Sequence, residues 1–423
     1  MNEIDCFGVH DRLLTLAEAL TAALHRIQPL RETVSVPLLD AYGRILAADV
    51  VARLDVPPHD NSAMDGFALY RGDLQTDAAT RLPVVGQSLA GHPYVGTVSP
   101  GTVVRITTGG VMPTGPDAVI MQEQCAIAPD RSWIEVVPAV AARLQPGENI
   151  RRCGEDVQAG TVLLPRGLRL RPQDVALAAG QGIAALEVVR PLRVAVASTG
   201  DELHAPGVAL PPGAIYESNR YTLIGFLRRL GCAVTDLGIL CDERARLLTA
   251  FQDAAASHDV VLTSGGVSVG TADLVKDVIA ELGEIAFWRL AIKPGKPVAF
   301  GQIQDCMVIG LPGNPVSVMV TLLMFARLLL LKRMGAVPAE PLRLRVTADF
   351  SFRCKPGRRE WLRVRLRNDA TRGPLASLYR SNSSGALSSL SWAEGLVELP
   401  EDCSGIALGD TVDYLPFSSL AVE

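Results

Sequence analysis

The 423-residue sequence has no CxxC pair, no HExxH motif and no close pair among its six histidines. Its eight cysteines are scattered singly, which argues against zinc ribbons, redox dithiols and a secreted disulfide framework and fits a reducing cytoplasm. Charge of one sign is missing too. With 40 Lys+Arg against 45 Asp+Glu, the net charge of -5 supplies no global field for nucleic acid or an anionic membrane. The first 30 residues carry Asp5, Asp11 and Glu18 and no basic start followed by an apolar run, so no secretory leader is expected. The most apolar run, from Val316 to Leu331, is shorter than the ~20 residues of a membrane span and contains Arg327, so a buried helix is expected there. What remains is 48% hydrophobic and 20% charged, with 38 Gly and 28 Pro, as in a turn-rich globular chain. At roughly 150 residues per domain, the length implies two to four domains.

Apolar residues at helical spacing between Leu13 and Ile27, with Thr15 and Glu18 placed as a capping box, predict an opening amphipathic helix. Short β-branched runs between Val34 and Ile150, broken by Gly and Pro, predict a β-rich region. From Pro191 onward strand-like and helical runs alternate, which predicts a parallel sheet of βαβ units. After Pro338 helices are expected to stop, leaving a small β barrel or sandwich.

Three strand-to-turn segments stand out in the alternating region: Val194 to Glu202, Val260 to Gly270 and Met307 to Pro315. In a parallel sheet such turns share the carboxyl edge, where ligands bind, and Gly-rich turns let backbone N–H groups curl round an anion such as phosphate. None carries the Lys-Ser/Thr of a Walker A loop. Gly180-Gln-Gly182 imitates a dinucleotide fingerprint but follows a helical segment rather than a strand. Asp201, Glu202, Asp242 and Asp273 fall at or just after predicted strand ends, where hard oxygen donors beside a phosphate suggest Mg²⁺; N-capping is the plain alternative for Asp242 and Asp273. Pro57 to Gly66 is a polar turn-rich stretch holding Asp60 and Asp65, and Lys293-Pro-Gly-Lys-Pro297 sets two cations on a rigid turn. Residues 343–372 hold ten Arg/Lys against three acids. The alternation of Arg363, Arg365 and Arg367 with Val364 and Leu366 predicts a mainly solvated strand face.

Taken together, PPHDNSAMDG, GENIRRCGED, STGDEL, SGGVSVGTAD, KPGKP, GLPGNPVS and GRREWLRVRL occur in the order and spacing of the MoeA family of molybdopterin molybdenumtransferases, which includes the gephyrin E domain; the chain resembles that family over nearly its whole length. The resemblance implies an elongated, multidomain α/β plus β subunit. Its expected parts are an N-terminal linker and dimer domain (1–53 with 151–190), a β-rich insertion domain (54–150), a parallel α/β molybdopterin-binding domain resembling MogA and MoaB (191–337), and a C-terminal β barrel (338–423). It implies a cytoplasmic homodimer that passes molybdenum from molybdate to adenylylated molybdopterin with Mg²⁺ and releases AMP, in transient contact with the adenylyltransferase before it and the apo-molybdoenzymes after it. No nucleic acid or membrane partner is implied.

Carried over residue by residue, the resemblance assigns catalytic positions to Asp60, Thr108, Asp156, Glu202, Asp242 and Asp273, with Glu202, Asp242 and Asp273 also at the metal. Asp60 and Thr108 belong to the domain that reaches into the cleft of the other subunit. Substrate-binding positions are Arg151, Ser218, Asn219, Gly265, Gly266, Ser268, Gly270, Lys293, Lys296, Pro312, Gly313, Asn314, Pro315, Arg358 and Ser384, with Ser383 an open alternative to Ser384. His59 stands where the family commonly has an aromatic, and Thr107-Thr-Gly-Gly replaces the usual Met-Thr-Gly-Ala. A non-catalytic scaffold of gephyrin E-domain type is the competing reading, against which stands the full set of acids; a lone adenylyltransferase would lack the 190 residues before the α/β region.

Overall fold

Thr15 Oγ1 accepts the Glu18 N–H at 3.2 Å and Glu18 Oε2 accepts the Thr15 N–H at 2.8 Å, the reciprocal cap anticipated from sequence, and it starts helix Leu16–Arg26. The computed structural model describes residues 13–266, 274–337 and 340–420. They form two units: one from the described parts of 1–48, 167–171 and 185–423, the other from 49–166 and 172–184.

The larger unit is built on a six-stranded sheet in the order Ala233–Leu240, Arg193–Thr199, Val260–Ser264, Cys306–Leu311, Pro297–Ile303, Glu284–Arg289. The first four strands are parallel, and the inner three of them are almost wholly buried, as expected for strands covered on both faces. The last two run antiparallel, so the sheet is mixed rather than wholly parallel. Only Gln304 and Asp305 separate Ile303 from Cys306, enough for a hairpin but far too short for a crossover. Helix Pro315–Arg333 is apolar and long enough to cross a membrane by length and composition, yet 78% of its most apolar window is buried. It is a core helix, packed with Trp288, Phe300 and Leu311 in the main cluster.

The chain then closes a five-stranded barrel: Arg359–Asp369 pairs with Gly373–Leu378, then Leu344–Ala348, Thr411–Pro416 and Gly395–Leu399, which returns to Arg359–Asp369. Helices do not stop at Pro338, because Leu387–Trp392 and Phe417–Leu420 cover the barrel. Arg363 is only 1% exposed and not solvated as its alternation suggested. Trp361, on the same face, joins the α/β core while Leu362 and Val364 fill the barrel, so both faces are buried from Glu360 to Val364, whereas Arg365 and Arg367 further along are exposed as the alternation predicts.

In the smaller unit the order is Ala118–Met121, Gly66–Leu69, Val103–Ile106, Thr80–Ser88, Trp133–Val136, Ala126–Ile127, over a core including Phe67, Leu69, Ile120 and Ile134. Gly66 is demanded by packing: a Cβ there would lie 1.9 Å from the Ile120 carbonyl oxygen.

Asp259 ties the amino edge of the large sheet. Its carboxylate accepts from Arg190 Nη1 and Nη2 (2.7 and 2.8 Å) and from the Arg193 backbone N–H (2.7 Å), and its side chain is 6% exposed. Burial raises its pKa, but the hydrogen bonds from Arg190 and Arg193 outweigh it and hold the carboxyl well below the carboxylate range. Asp259→Asn is expected to lower stability by about 3 kcal/mol near neutrality, read by chemical denaturation. Because the folded-state pKa is depressed, that advantage is complete above the unfolded value and shrinks as pH falls through and below about 4. A wild-type-to-variant gap that is absent at pH 7, or that widens on acidification, would contradict this assignment.

Candidate functional site

In the large unit the carboxyl ends of strands Arg193–Thr199, Val260–Ser264 and Cys306–Leu311 lie side by side. From Arg193–Thr199 the chain crosses to Ala233–Leu240 on one side and then to Val260–Ser264 on the other, so this edge is a topological switch point. Gly265 and Gly266 have φ of +90° and +66°, and a Cβ on Gly265 would stand 2.5 Å from the Thr199 carbonyl oxygen. Asn219 Nδ2 donates to Ser264 Oγ at 2.9 Å and to the Gly313 carbonyl at 2.6 Å, clamping the 312–315 loop to the neighbouring strand end. Pro312 is buried, Gly313 and Asn314 are exposed, and Pro315 occupies the first turn of the core helix. Ser218 is the N-cap residue of helix Asn219–Leu230, and its side chain makes no capping bond.

Acids gather at the same edge. Partial desolvation, then the Asp201 and Glu202 carboxylates, push the Asp242 carboxyl above its ordinary value, the mark of like charges sharing a site. Among the described residues no trio of His, Cys, Asp or Glu is close enough to hold a metal. Ser268, Gly270 and Asp273 lie outside the described residues.

Beside this edge the KPGKP turn is anchored rather than a solvated hairpin. Strand Ile292–Lys293 pairs with Arg359 and Glu360 of the barrel, and Lys293 Nζ meets Glu360 Oε1 at 2.7 Å. Lys296 is exposed. Arg358 is half-buried, and its Nε has no hydrogen-bond partner among the described residues. The serine loop follows on from strand Gly373–Leu378, with the Ser384 carbonyl accepting the Val316 N–H at 3.0 Å at the start of the core helix. Ser383 Oγ accepts the Gly385 N–H at 3.3 Å, whereas Ser384 Oγ makes no hydrogen bond among the described residues. Thus Lys293, Arg358, Pro315 and Ser384 sit on segments hydrogen-bonded to one another or adjacent in the chain.

The smaller unit holds a second cluster. Asp60 accepts the Cys153 N–H at 2.8 Å and Arg152 Nη1 at 2.7 Å; these bonds, the backbone one first, hold its carboxyl below the usual value despite desolvation. Asp65 Oδ1 accepts both the N–H (2.7 Å) and the hydroxyl (2.9 Å) of Thr108, which depress it likewise. The loops carrying Asp60 and Thr108 are zipped together by Ser62 N–H to the Gly110 carbonyl, Gly109 N–H to the Ser62 carbonyl and Met112 N–H to the Asp60 carbonyl. Arg151 pairs with Asn61 in a short ladder, and exposed Asp156 lies on the 154–158 turn, next to the bridge between Val56 and Val157.

Sequence reasoning gave no role to Arg152, Glu360, Arg363 or Asn382, and it noted Asp65 without linking it to Thr108. The readable signal for Arg363 was Trp361-Leu362 before it and Val364 after it, a strand with apolar residues on both faces. Arg152→Ala should move the Asp60 carboxyl upward yet leave it below the ordinary value, because the Cys153 N–H persists. Carboxyl ¹³C titration reads this, and an unchanged or lowered midpoint would count against the pairing.

Three family models cover the chain in succession: the MoeA N-terminal region (domain I and II) over residues 14–182, the probable molybdopterin binding domain over 195–332, and the MoeA C-terminal region (domain IV) over 345–417. A molybdopterin molybdenumtransferase of Haemophilus influenzae is 43% identical over 324 residues, covering 76% of this chain and 78% of that one. Molybdopterin molybdenumtransferase 2 of Mycobacterium tuberculosis is 39% identical over 390 residues, covering 89% and 93%. The crystal structure of the molybdopterin biosynthesis MoeA protein from Pyrococcus horikoshii matches with a TM-score of 0.81 at 30% identity, covering 96% of this chain and 100% of that one. Conserved over most of its length with proteins of that name and superposing on such a fold, this chain belongs to the MoeA family of molybdopterin molybdenumtransferases.

Proposed function

We propose that this chain is a transferase of the last step of molybdenum cofactor synthesis: it inserts molybdenum from molybdate into adenylylated molybdopterin and releases AMP. The observation that carries the reading is the meeting, on one sheet edge of a MoeA-family chain, of anion-suited loops and clustered carboxylates. Backbone N–H groups at Gly266 and Gly313, with the amino end of helix Pro315–Arg333, suit phosphate, while the Gly265 N–H is spent on the Leu311 carbonyl at 3.1 Å and holds the turn in place. Lys293, Lys296, Arg358 and Ser384 suit the oxyanion, and their positive charge opposes the repulsion between molybdate and pyrophosphate.

Glu202 and Asp242 offer hard oxygen donors, and partial burial followed by the Asp201 and Glu202 charges raises the Asp242 carboxyl, an environment that a hard divalent cation would relieve. They would hold Mg²⁺ together with Asp273, and when bound the ion supplies charge neutralisation at the pyrophosphate. Held against the phosphates, a water, or a molybdate oxygen whose link to phosphorus water then cleaves, attacks the molybdopterin phosphorus; the bond from that phosphorus to the bridging oxygen breaks and AMP leaves with that oxygen, and as the two dithiolene sulfurs bond to molybdenum one molybdate oxygen leaves as water with the two thiol protons. No cysteine or serine nucleophile is needed. The same reading makes the protein a cytoplasmic homodimer that takes its substrate from the adenylyltransferase and passes its product to apo-molybdoenzymes. Asp60, Thr108, Arg151 and Asp156 act on substrate in that dimer.

Single-turnover AMP release from adenylylated molybdopterin is the test. Release should require molybdate, stop with EDTA and return with Mg²⁺, and Glu202→Gln or Asp242→Asn should slow it about 100-fold. Tight substrate binding without release would favour the scaffold reading, and full rates in EDTA would remove the metal from the account.

A further inference from the structure

The barrel strand Arg359–Asp369 carries two buried charges that the proposed chemistry does not use directly. Glu360 is 1% exposed. Its Oε1 accepts Lys293 Nζ at 2.7 Å and Asn382 Nδ2 at 3.0 Å, and its Oε2 is buried without a hydrogen-bond partner among the described residues. The compensation of that charge therefore rests on Lys293 and Asn382. Arg363, also 1% exposed, donates Nη1 to Asn382 Oδ1 at 2.8 Å, Nη2 to the carbonyls of Ser381 (2.9 Å) and Ser383 (3.3 Å), and Nε to Ser389 Oγ at 3.1 Å. Its fork thus gathers the serine loop from below. Among the described residues Asn382 alone hydrogen-bonds to both charges: its carbonyl takes Arg363 and its amide gives to Glu360, which fixes its orientation.

We propose that Asn382 is a positioning residue that sets the serine loop in register with the Lys293 ammonium, so that Ser384 and Lys293 close on the same tetrahedral oxyanion. This deepens the molybdenumtransferase reading and rests on it for the identity of the oxyanion. Arg363 fixes the height of the loop and Glu360 restrains the ammonium. Without the amide, the loop and the lysine are still present but are no longer tied to each other. The expected signature is weaker oxyanion binding, with little effect on the nucleotide part of the substrate or on the rate once the oxyanion saturates.

The experiment uses the full-length protein. Molybdate binding is measured by equilibrium dialysis without substrate, and KM for molybdate and kcat are measured from AMP release. Asn382→Ala should raise both the molybdate Kd and KM about tenfold, the loss of about one hydrogen bond to a charged group, and change kcat less than twofold. Asn382→Asp, which keeps an acceptor for Arg363 but faces Glu360 with a second carboxylate, should weaken binding at least as much. Adding Glu360→Gln to Asn382→Ala should cost less than the two changes separately, as for residues in one network. Unchanged molybdate affinity in Asn382→Ala, or a fall in kcat and thermal midpoint with KM constant, overturns the proposal in favour of a merely structural asparagine. If wild type binds molybdate in the Asn382-dependent way yet releases no AMP, the transferase reading fails and this inference stands. If wild type does not bind the oxyanion, the inference fails outright.

Discussion

A buried carboxylate must be given a cation, and in this chain that demand joins the α/β domain to the barrel. Glu360 stands on a stretch of strand whose two faces are both covered, so its charge has little access to water and Lys293 has to come to it. The KPGKP turn is thereby drawn onto the barrel strand, in a two-residue parallel ladder with Arg359 and Glu360. The serine loop in turn comes to Arg363, because a buried guanidinium needs hydrogen-bond acceptors and the Asn382 side chain and the Ser381 and Ser383 carbonyls supply them. An ammonium and a hydroxyl loop are thus assembled by the cost of leaving two charges unpaired, in a barrel whose remaining interior is apolar.

The sheet edge adds the complementary half. Parallel strands end in turns, turns expose N–H groups, and the switch in chain direction keeps the space between them open. Burial, and then the neighbouring Asp201 and Glu202 carboxylates, raise the affinity of Asp242 for a proton, a cost that a bound divalent cation would relieve. Cation-seeking carboxylates next to anion-seeking loops are the charge pattern expected of a site that handles a pyrophosphate together with a metal.

Most elements were legible because their signals are local. The capping box at Thr15 and Glu18, strands Val103–Ile106 and Ala118–Met121, and helix Leu274–Leu282 follow directly from periodicity and caps. Where the reading failed, a long-range fact intervened. The antiparallel edge depends on a two-residue turn at Gln304 and Asp305 between runs that look like any apolar strands. Arg363 looked solvated because alternation assumes one wet face, and the α/β core, supplied by segments distant along the chain, covers the face it shares with Trp361. Motif resemblance singled out Asp60, Lys293 and Ser384 as candidates, but it could not show that Arg152, Glu360 and Asn382 hold them or their loops, since these partners are visible only as contacts.

The central claim, that the Lys293 turn and the serine loop make one oxyanion grip, can be tested by locating the oxyanion itself. Crystals of the full chain soaked in tungstate, nearly isosteric with molybdate and a strong anomalous scatterer, should show a tungsten peak within hydrogen-bonding reach of Lys293 Nζ and of the 381–384 loop. A peak found only elsewhere, or an empty grip under saturating tungstate, would contradict the account.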